Sequence, residues 1–480
     1  MSVLTVYENG LVRRVDFEGQ PLLCELLEKD GRFLPHPCGK RGTCGKCAVD
    51  IKGELSPPDE AEIRAKTRLS CRVRLLGDAE IFLSKSESTY AEGAESFFEP
   101  KGALCGEYGV AADIGSTTLA VTAYQLSTGE VIGSATGANP QLCVSADVMG
   151  RLEHAVKNGA DSLKPPLWTE LLRLCKKASP YGFQSISITG NTVMLSLLCG
   201  EDVSSLATAP FEAKRLFGEL LEKDGITAYL APCASAFAGA DLICAVLFSG
   251  MCEKHKTALL ADIGTNAELA LLANGKLYLG SVPAGPVFEG GEISCGCTAI
   301  NGAVCRAKVE NGAIVTETVN GEEAVGVCGS GLIDLIACLR AVGAIDESGR
   351  MEAEYEICEG VSLTPSDVRA FQTAKAAFRA ALELLFSEAN VKPVDIEKFY
   401  ISGGFGKYVD PESAAAVGLF PKELSKACEA VGNGALKGAS MALLQGEARA
   451  ELLRIRSISQ VKNFGGDGEF SRYFLENMRF

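Results

Sequence analysis

Four cysteines set the first piece of chemistry. Cys38, Cys44 and Cys47 lie in the stretch PCGKRGTCGKC with C-x5-C-x2-C spacing, and Cys71 follows in Arg68-Leu69-Ser70-Cys71. Four thiolates complete the coordination of a [2Fe–2S] cluster. Gly39, Gly42 and Gly45 let the intervening loop wrap the cluster and aim backbone N–H groups at its sulfides. The plant-type spacing is C-x4-C-x2-C with a distant fourth cysteine, so the first gap here is one residue longer. A structural zinc site is the alternative, but such sites usually pair two short knuckles and this chain has one. His36 reads as a loop residue, since four thiolates suffice.

The second piece is phosphate chemistry. Asp113-Ile114-Gly115-Ser116-Thr117-Thr118 and Asp262-Ile263-Gly264-Thr265-Asn266 each end an apolar strand pattern, 149 residues apart. A tight glycine turn brings backbone N–H groups to phosphate oxygens, and the aspartate can hold Mg²⁺ through water. Gly403-Gly404-Phe405-Gly406, after a short strand pattern at 399–402, would let the chain pass close to a base and ribose. The chain has no GxxxxGK-type P-loop.

These residues need elements to carry them. Residues 1–87 read as strands at 3–7, 11–17, 48–52, 73–76 and 80–83 with a helix at 22–29, a pattern that fits a small α+β, β-grasp ferredoxin sheet. Residues 88–108 read as a flexible linker. From 109 the pattern alternates β and α. The stretches 109–130 and 257–280 resemble each other, which predicts two similar lobes, 109–256 and 257–431. Thr364 and Asp367 form a capping signature opening an Ala-rich helix to about residue 385. Residues 432–480 are expected to return as helices to the first lobe, with Gly434 and Gly438 on one close-packing face.

Composition narrows the classes. With 61 acidic and 46 basic residues the formal charge is −15, which argues against a nucleic-acid footprint and against anionic membranes. No run of 18 or more apolar residues and no apolar leader segment is present, so the expectation is a cytoplasmic protein. Most of the 19 cysteines are scattered among apolar residues and read as small hydrophobes, and Cys295 and Cys297 as incidental thiols. The Ala/Gly faces near 434–443 permit a homodimer.

The paired phosphate motifs followed by a glycine turn resemble the sugar kinase, Hsp70 and actin superfamily. Over 109–480 that resemblance implies an α/β, two-lobed, ribonuclease-H-like ATPase domain with ATP and Mg²⁺ in its cleft. It places Asp113 and Asp262 as phosphate-loop acids, Asp262 the stronger candidate for positioning Mg²⁺ or orienting water with Glu268 and Glu289 lesser candidates, and Gly115, Ser116, Thr117, Thr118, Gly264, Thr265 and Asn266 as phosphate-loop contacts. The adenosine turn would be Gly403, Gly404, Phe405 and Gly406. Together, PCGKRGTCGKC, RLSC, ADIGSTT, ITGNTVML, ADIGTNAELAL, PAGPVFEG, VCGSGLIDL and ISGGFGKYVD resemble the ATP-dependent reductive activators of corrinoid proteins. That family implies one-electron reduction of Co(II) to Co(I) coupled to ATP hydrolysis. The partners implied are a low-potential electron donor and a corrinoid protein, either a corrinoid iron–sulfur protein or a methyltransferase corrinoid subunit. One departure stands out: well-known members carry a further domain between ferredoxin and ATPase, where this chain has only the short linker. The alternatives are an activator of another low-potential metalloenzyme, a redox-regulated small-molecule kinase, and a non-catalytic nucleotide sensor.

Overall fold

Alternating apolar and polar residues build the N-terminal sheet of the computed structural model, which describes all residues except 1, 9–10, 31, 33, 35–41, 43–46, 66, 84–96, 146, 224 and 404–407. Strands β1 (Ser2–Glu8) and β2 (Leu11–Phe17) pair antiparallel, and β5 (Leu75–Leu83) lies parallel to β1. Strand β3 (Ala48–Leu55) runs antiparallel to β5 and carries β4 (Arg68–Leu69) at its edge, so the order is β2-β1-β5-β3-β4. Leu4, Val6, Ile51, Leu75, Ala79 and Ile81 face one core, onto which α1 (Leu23–Lys29) turns Leu23, Leu26 and Leu27 at helical spacing.

Two expectations for this region need correction. The strands expected at 73–76 and 80–83 are one strand, β5. Strand β5 continues through Gly77 and Asp78, with β3 paired on both sides of them, Leu55 with Leu75 and Gly53 with Ala79, across an irregularity in register. A helix not expected, α2 (Glu60–Ala65), follows Asp59, whose carboxylate accepts the N–H groups of Ala61 and Glu62 at 3.0 Å each.

Residues 1–87 form one compact unit with 138–170 and 197–208, and the rest of the chain forms the other. In the first unit, α3 (Val148–Asn158) is capped by Asp147, which accepts Gly150 N–H at 2.8 Å, and packs on α6 (Ser204–Ala207). Between them in sequence come α4 (Lys164–Ala178) and α5 (Thr192–Cys199).

The second unit holds two sheets of like topology. In the first, β6 (Tyr108–Ile114), β7 (Thr118–Gln125) and β8 (Val131–Ala138) follow one another. Strand β9 (Ser185–Gly190) joins parallel to β6, and β11 (Ile226–Leu230) and β10 (Glu219–Lys223) extend that edge. In the second, β12 (Ala258–Ile263), β13 (Asn266–Ala273) and β14 (Lys276–Pro283) repeat the antiparallel meander, with β20 (Lys398–Ser402) and β21 (Cys428–Gly432) parallel beyond β12. β20 and β12 are buried along nearly their whole length, which explains why they read as continuous apolar runs. Smaller pieces decorate the second lobe: β15 (Ala303–Glu310), β16 (Ala313–Thr318) and β17 (Gly326–Val327), then β18 (Tyr355–Cys358) with β19 (Val361–Leu363).

Helices cover these sheets. In the first lobe α7 (Ala240–Ser249) leads into the short α8 (Met251–Lys254). In the second, α9 (Gly329–Ala341) packs on β15, and α10 (Pro365–Ala389) crosses β13 and β14. The capping box of α10 forms as the sequence predicts, but the helix runs on to Ala389, where Asn390 ends it in the left-handed conformation at φ 51°. The short α11 (Pro411–Ala416) lies against α9.

The expected return of 432–480 to the first lobe is corrected in part. Helix α12 (Gly434–Leu444) packs on α7, β6 and β9, and α13 (Gly446–Ile458) follows it onto α7. The chain then crosses back: β22 (Ser459–Lys462) pairs parallel with β14, and α14 (Gly468–Glu476) packs on α10. The face of α12 left open for a homodimer is spent internally. A Cβ on Gly438 would stand 2.1 Å from the carbonyl oxygen of Cys244. We expect Gly438→Ala to lower the urea midpoint at unchanged m-value, a loss of about 1–3 kcal/mol, because neither backbone can yield.

Candidate nucleotide cleft and cluster site

In the first lobe the strand β6 delivers Asp113, and Gly115 makes the turn into β7 by donating its N–H to Thr118 O at 3.0 Å. A Cβ on Gly115 would stand 2.6 Å from that oxygen, so glycine is required. In the second lobe β12 delivers Asp262, and Gly264 N–H donates to Asn266 O at 3.2 Å. Glu289 fixes this loop by accepting both the N–H and the hydroxyl of Thr265, at 3.0 Å each. Ser402 at the end of β20 donates its hydroxyl to Asp262 Oδ2 at 2.8 Å. Gly403 follows at φ +88°, where a Cβ would lie 2.7 Å from Asp262 Oδ1.

These residues line one cleft of about 360 Å³, inside the range of small-molecule sites. Asp113, Gly115, Ser116, Thr117, Thr118, Asp262, Gly264, Thr265, Asn266, Glu268, Glu289 and Gly403 all face it. Gly404, Phe405 and Gly406 lie outside the described residues.

The cleft also holds residues the sequence reading did not single out. Asp241, in the first turn of α7, and Asn191, at the end of β9, line it together. A Cβ on Gly239 would stand 2.5 Å from Asn191 Cα, so that glycine lets the two loops meet. Asn433 caps α12, accepting Leu436 N–H at 2.9 Å, and donates to Asp113 Oδ2 at 3.2 Å. Nothing in the sequence pairs 241 or 433 with 113; Gly239 before an apolar helix was the one available signal.

Five carboxyl groups in one buried cleft repel one another and resist ionisation. Asp113 is pushed up to about 7, by burial first and then by Asp241, with the Asn433 bond opposing. Asp241 is pushed up to about 6, chiefly by burial, with the Leu242 N–H opposing and Asp262 adding to the rise. Burial also holds Asp262, Glu268 and Glu289 above the usual carboxylate range. An acid whose pKa is higher folded than unfolded makes the folded state bind more protons, so its contribution to stability falls as pH rises through that interval. Asp113→Asn removes this term. We expect the variant without ligand to gain stability over wild type between pH 4 and 7, on the order of a few kcal/mol at pH 8, measured by urea unfolding at each pH.

In the ferredoxin sheet, Cys47 and Cys71 are buried together with Cys24 and Leu69. Their sulfurs lie 3.3 Å apart, too far for a disulfide near 2.05 Å and close to the roughly 3.8 Å of two thiolates on one tetrahedral metal with bonds near 2.3 Å. Both donors therefore suit a shared iron. Cys38, Cys44 and His36 lie outside the described residues. Buried Glu62 holds the strand before Cys71: its Oε1 accepts Leu69 N–H and Arg68 Nε, both at 3.0 Å.

The class follows from these two sites: a ferredoxin-type β-grasp domain in one chain with a duplicated two-lobed nucleotide fold. Comparison with known proteins makes it particular. Residues 6–76 match the 2Fe-2S iron-sulfur cluster binding domain, 108–254 the RACo middle region, and 256–480 the C-terminal domain of RACo, the ASKHA domain. The chain belongs to the RACo family. It is 29% identical over 420 residues to the corrinoid activation enzyme RamQ of Eubacterium limosum, covering 78% of this chain and 70% of that protein. It is 27% identical over 357 residues to a Co(II) methylated amine-specific corrinoid protein reductase of Methanosarcina barkeri, covering 65% of this chain and 66% of that one. In fold it matches a solved reductive activator for corrinoid, iron-sulfur protein with a TM-score of 0.71 at 23% identity, covering 100% of this chain and 98% of the other. The segment matching the middle region begins at the first strand of the first lobe.

Proposed function

We propose that this protein is an ATP-dependent reductive activator of a corrinoid protein, returning Co(II) to Co(I) by one electron as ATP is hydrolysed. The observation that carries the reading is the joining, in a RACo-family chain, of a converging cysteine pair in a ferredoxin sheet with a duplicated acid–glycine–hydroxyl cleft. A bound [2Fe–2S] cluster, held by Cys38, Cys44, Cys47 and Cys71, supplies a one-electron carrier near −400 mV.

The rest is work for the cleft. Turns 115–117 and 264–266 wall the site for the triphosphate; in the second, Glu289 holds the Thr265 N–H and hydroxyl, which a phosphate oxygen would take over from it. Asp113 and Asp262, which both line the cleft, would hold, through water, the Mg²⁺ that accompanies the nucleotide. Its charge relieves the repulsion among the five carboxyl groups, so nucleotide and cation bind together. A one-electron gap of one to three hundred millivolts amounts to about 2–7 kcal/mol, within reach of differential binding across a hydrolytic cycle. Closing the lobes on ATP and reopening them on products gives the step its direction. The electron donor is of low potential.

One observation favours a second reading. A kinase needs an acid beside the phosphates, and Asp241 occupies such a place. Anaerobic spectra separate the two. With reductant and ATP, a corrinoid protein should show Co(II) absorbance giving way to Co(I), and should stimulate ATP turnover. Turnover stimulated by a small metabolite and not by any corrinoid protein would reject the activator reading. Among the described residues no helix is long and apolar enough to cross a membrane.

A further inference from the structure

Three short strands run parallel beside the cleft. Gly296 pairs with Val327, and Val327 with Val304 of β15. The bonds Cys297 N–H to Val327 O, Val327 N–H to Cys295 O and Cys328 N–H to Val304 O, at 2.9, 2.9 and 3.1 Å, hold the register. One residue further along each strand stands a cysteine: Cys297, Cys328 and Cys305. Neighbouring strands lie about 4.8 Å apart, so the pairing brings the three cysteines side by side with Cys328 in the middle; β15 shifts register against β16 between Val304 and Arg306, and the Cys305 thiol there lies 3.5 Å from Glu317 O.

The packing agrees with the register. Cys297 and Cys305 pack against one small cluster formed by Ala303, Val319 and buried Cys328. Cys328 Sγ lies 3.4 Å from the Ser330 hydroxyl, which donates to Cys305 O at 3.1 Å. Gly326, two residues before Cys328, leaves room for this row: a Cβ there would stand 2.9 Å from Cys297 Sγ. Cys297 and Cys328 line the cleft, and Cys328 directly precedes α9, whose first residues Gly329 and Ser330 line it too.

Among the described residues no three His, Cys, Asp or Glu side chains are gathered as a metal-ligand group, this row included. Its strand spacing falls within the Cα separations that a disulfide spans, about 4.4–6.8 Å. We propose that Cys305 and Cys328 are a redox modification site, which a peroxide converts to a disulfide that weakens nucleotide binding in the adjacent cleft. One sulfur attacks the peroxide oxygen, breaking the O–O bond to give a sulfenic acid and one water. The second thiol attacks that sulfur, forming the S–S bond and releasing the second water. Two thiols thus lose two electrons and two protons to one hydrogen peroxide. The cross-link ties β15 to the residue before α9, where the cleft wall would otherwise adjust to nucleotide. Burial, and then the Cys328 neighbour, hold the Cys305 thiol above its usual pKa, so the reaction is slow and answers sustained exposure.

This inference rests on the cleft binding nucleotide, and the test separates the two. Full-length protein, prepared reduced and without oxygen, is titrated with a non-hydrolysable ATP analogue by calorimetry, then treated with hydrogen peroxide, alkylated, digested and mapped by mass spectrometry. The expected products are a 305–328 linked peptide and a rise in analogue Kd of about fivefold or more, both reversed by dithiothreitol. Cys305→Ser should bind the analogue like reduced wild type before and after peroxide. Cys305→Ala serves if the serine variant folds poorly. Peroxide that oxidises other thiols without linking 305 to 328, a 297–328 link in its place, or an equal loss of affinity in Cys305→Ser would overturn the proposal. Reduced wild type that binds no analogue would instead sink the nucleotide reading, leaving the peptide map to be judged alone.

Discussion

Replacing Asp262 with alanine should lower ATP hydrolysis by about 10²–10⁴-fold while the visible spectrum of the ferredoxin domain persists. Asp262 is held on one side by the Ser402 hydroxyl at 2.8 Å, and the backbone of Gly403 crowds it on the other. Such a carboxylate is fixed before nucleotide arrives and loses little freedom in positioning an ion or a water. The substitution also removes one of five mutually repelling acids, so the effect should split by metal. Without Mg²⁺, nucleotide should bind the variant as well as wild type or more tightly; with Mg²⁺, the tightening that wild type shows should be lost. Asp262→Asn, which keeps the shape and the Ser402 contact, should fail in hydrolysis nearly as badly. A wild-type rate in either variant would remove Asp262 from the mechanism.

Replacing Cys71 with serine should abolish the visible absorbance of the N-terminal domain and reduce corrinoid reduction to background, with nucleotide binding unchanged. The sulfur of Cys71 lies 3.3 Å from that of Cys47 in a small buried cluster of its own, distinct from the apolar core of the same sheet. Loss of the cluster therefore leaves Leu4, Val6, Leu75 and Ile81 packed, and the sheet should remain folded. The nucleotide cleft belongs to the other compact unit, built on other cores. Cys44→Ser should behave alike. Iron and sulfide analysis, anaerobic absorbance and calorimetry with ATP check the three parts separately. A cluster that survives in Cys71→Ser, or ATP binding lost along with it, would contradict the ligand assignment or the independence of the two sites.

How the site was legible differs residue by residue. Asp113, Gly115, Asp262 and Gly264 were visible because each motif is local: a strand end, a turn that only glycine can make, and a hydroxyl within a few residues. Asp241 was not, since its neighbours in sequence are those of an ordinary buried helix start and its role arises from lying near Asp113, 128 positions earlier. Asn433 reads from sequence only as a helix cap, and it is one; that its amide also reaches Asp113 depends on α12 crossing onto β6. Cys297 looked incidental, and Cys305 and Cys328 were not singled out, because parallel pairing joins residues with no fixed spacing along the chain.

Local chemistry alone determined the cysteine spacing, the two phosphate turns, the capping box at Thr364 and the duplication, because each is specified by bonds or sterics spanning only a few residues. Tertiary structure decided the rest. It ran β5 through Gly77 as one strand and sent the chain after α13 back to β14. It also turned the small-residue face of α12 inward against Cys244. It gathered five acids in one cleft, where burial hinders the ionisation of each and neighbouring carboxylates add to this for Asp113, Asp241, Glu268 and Glu289. Sheet pairing, burial and Coulomb repulsion act between residues far apart in sequence, and their outcome depends on which surfaces meet.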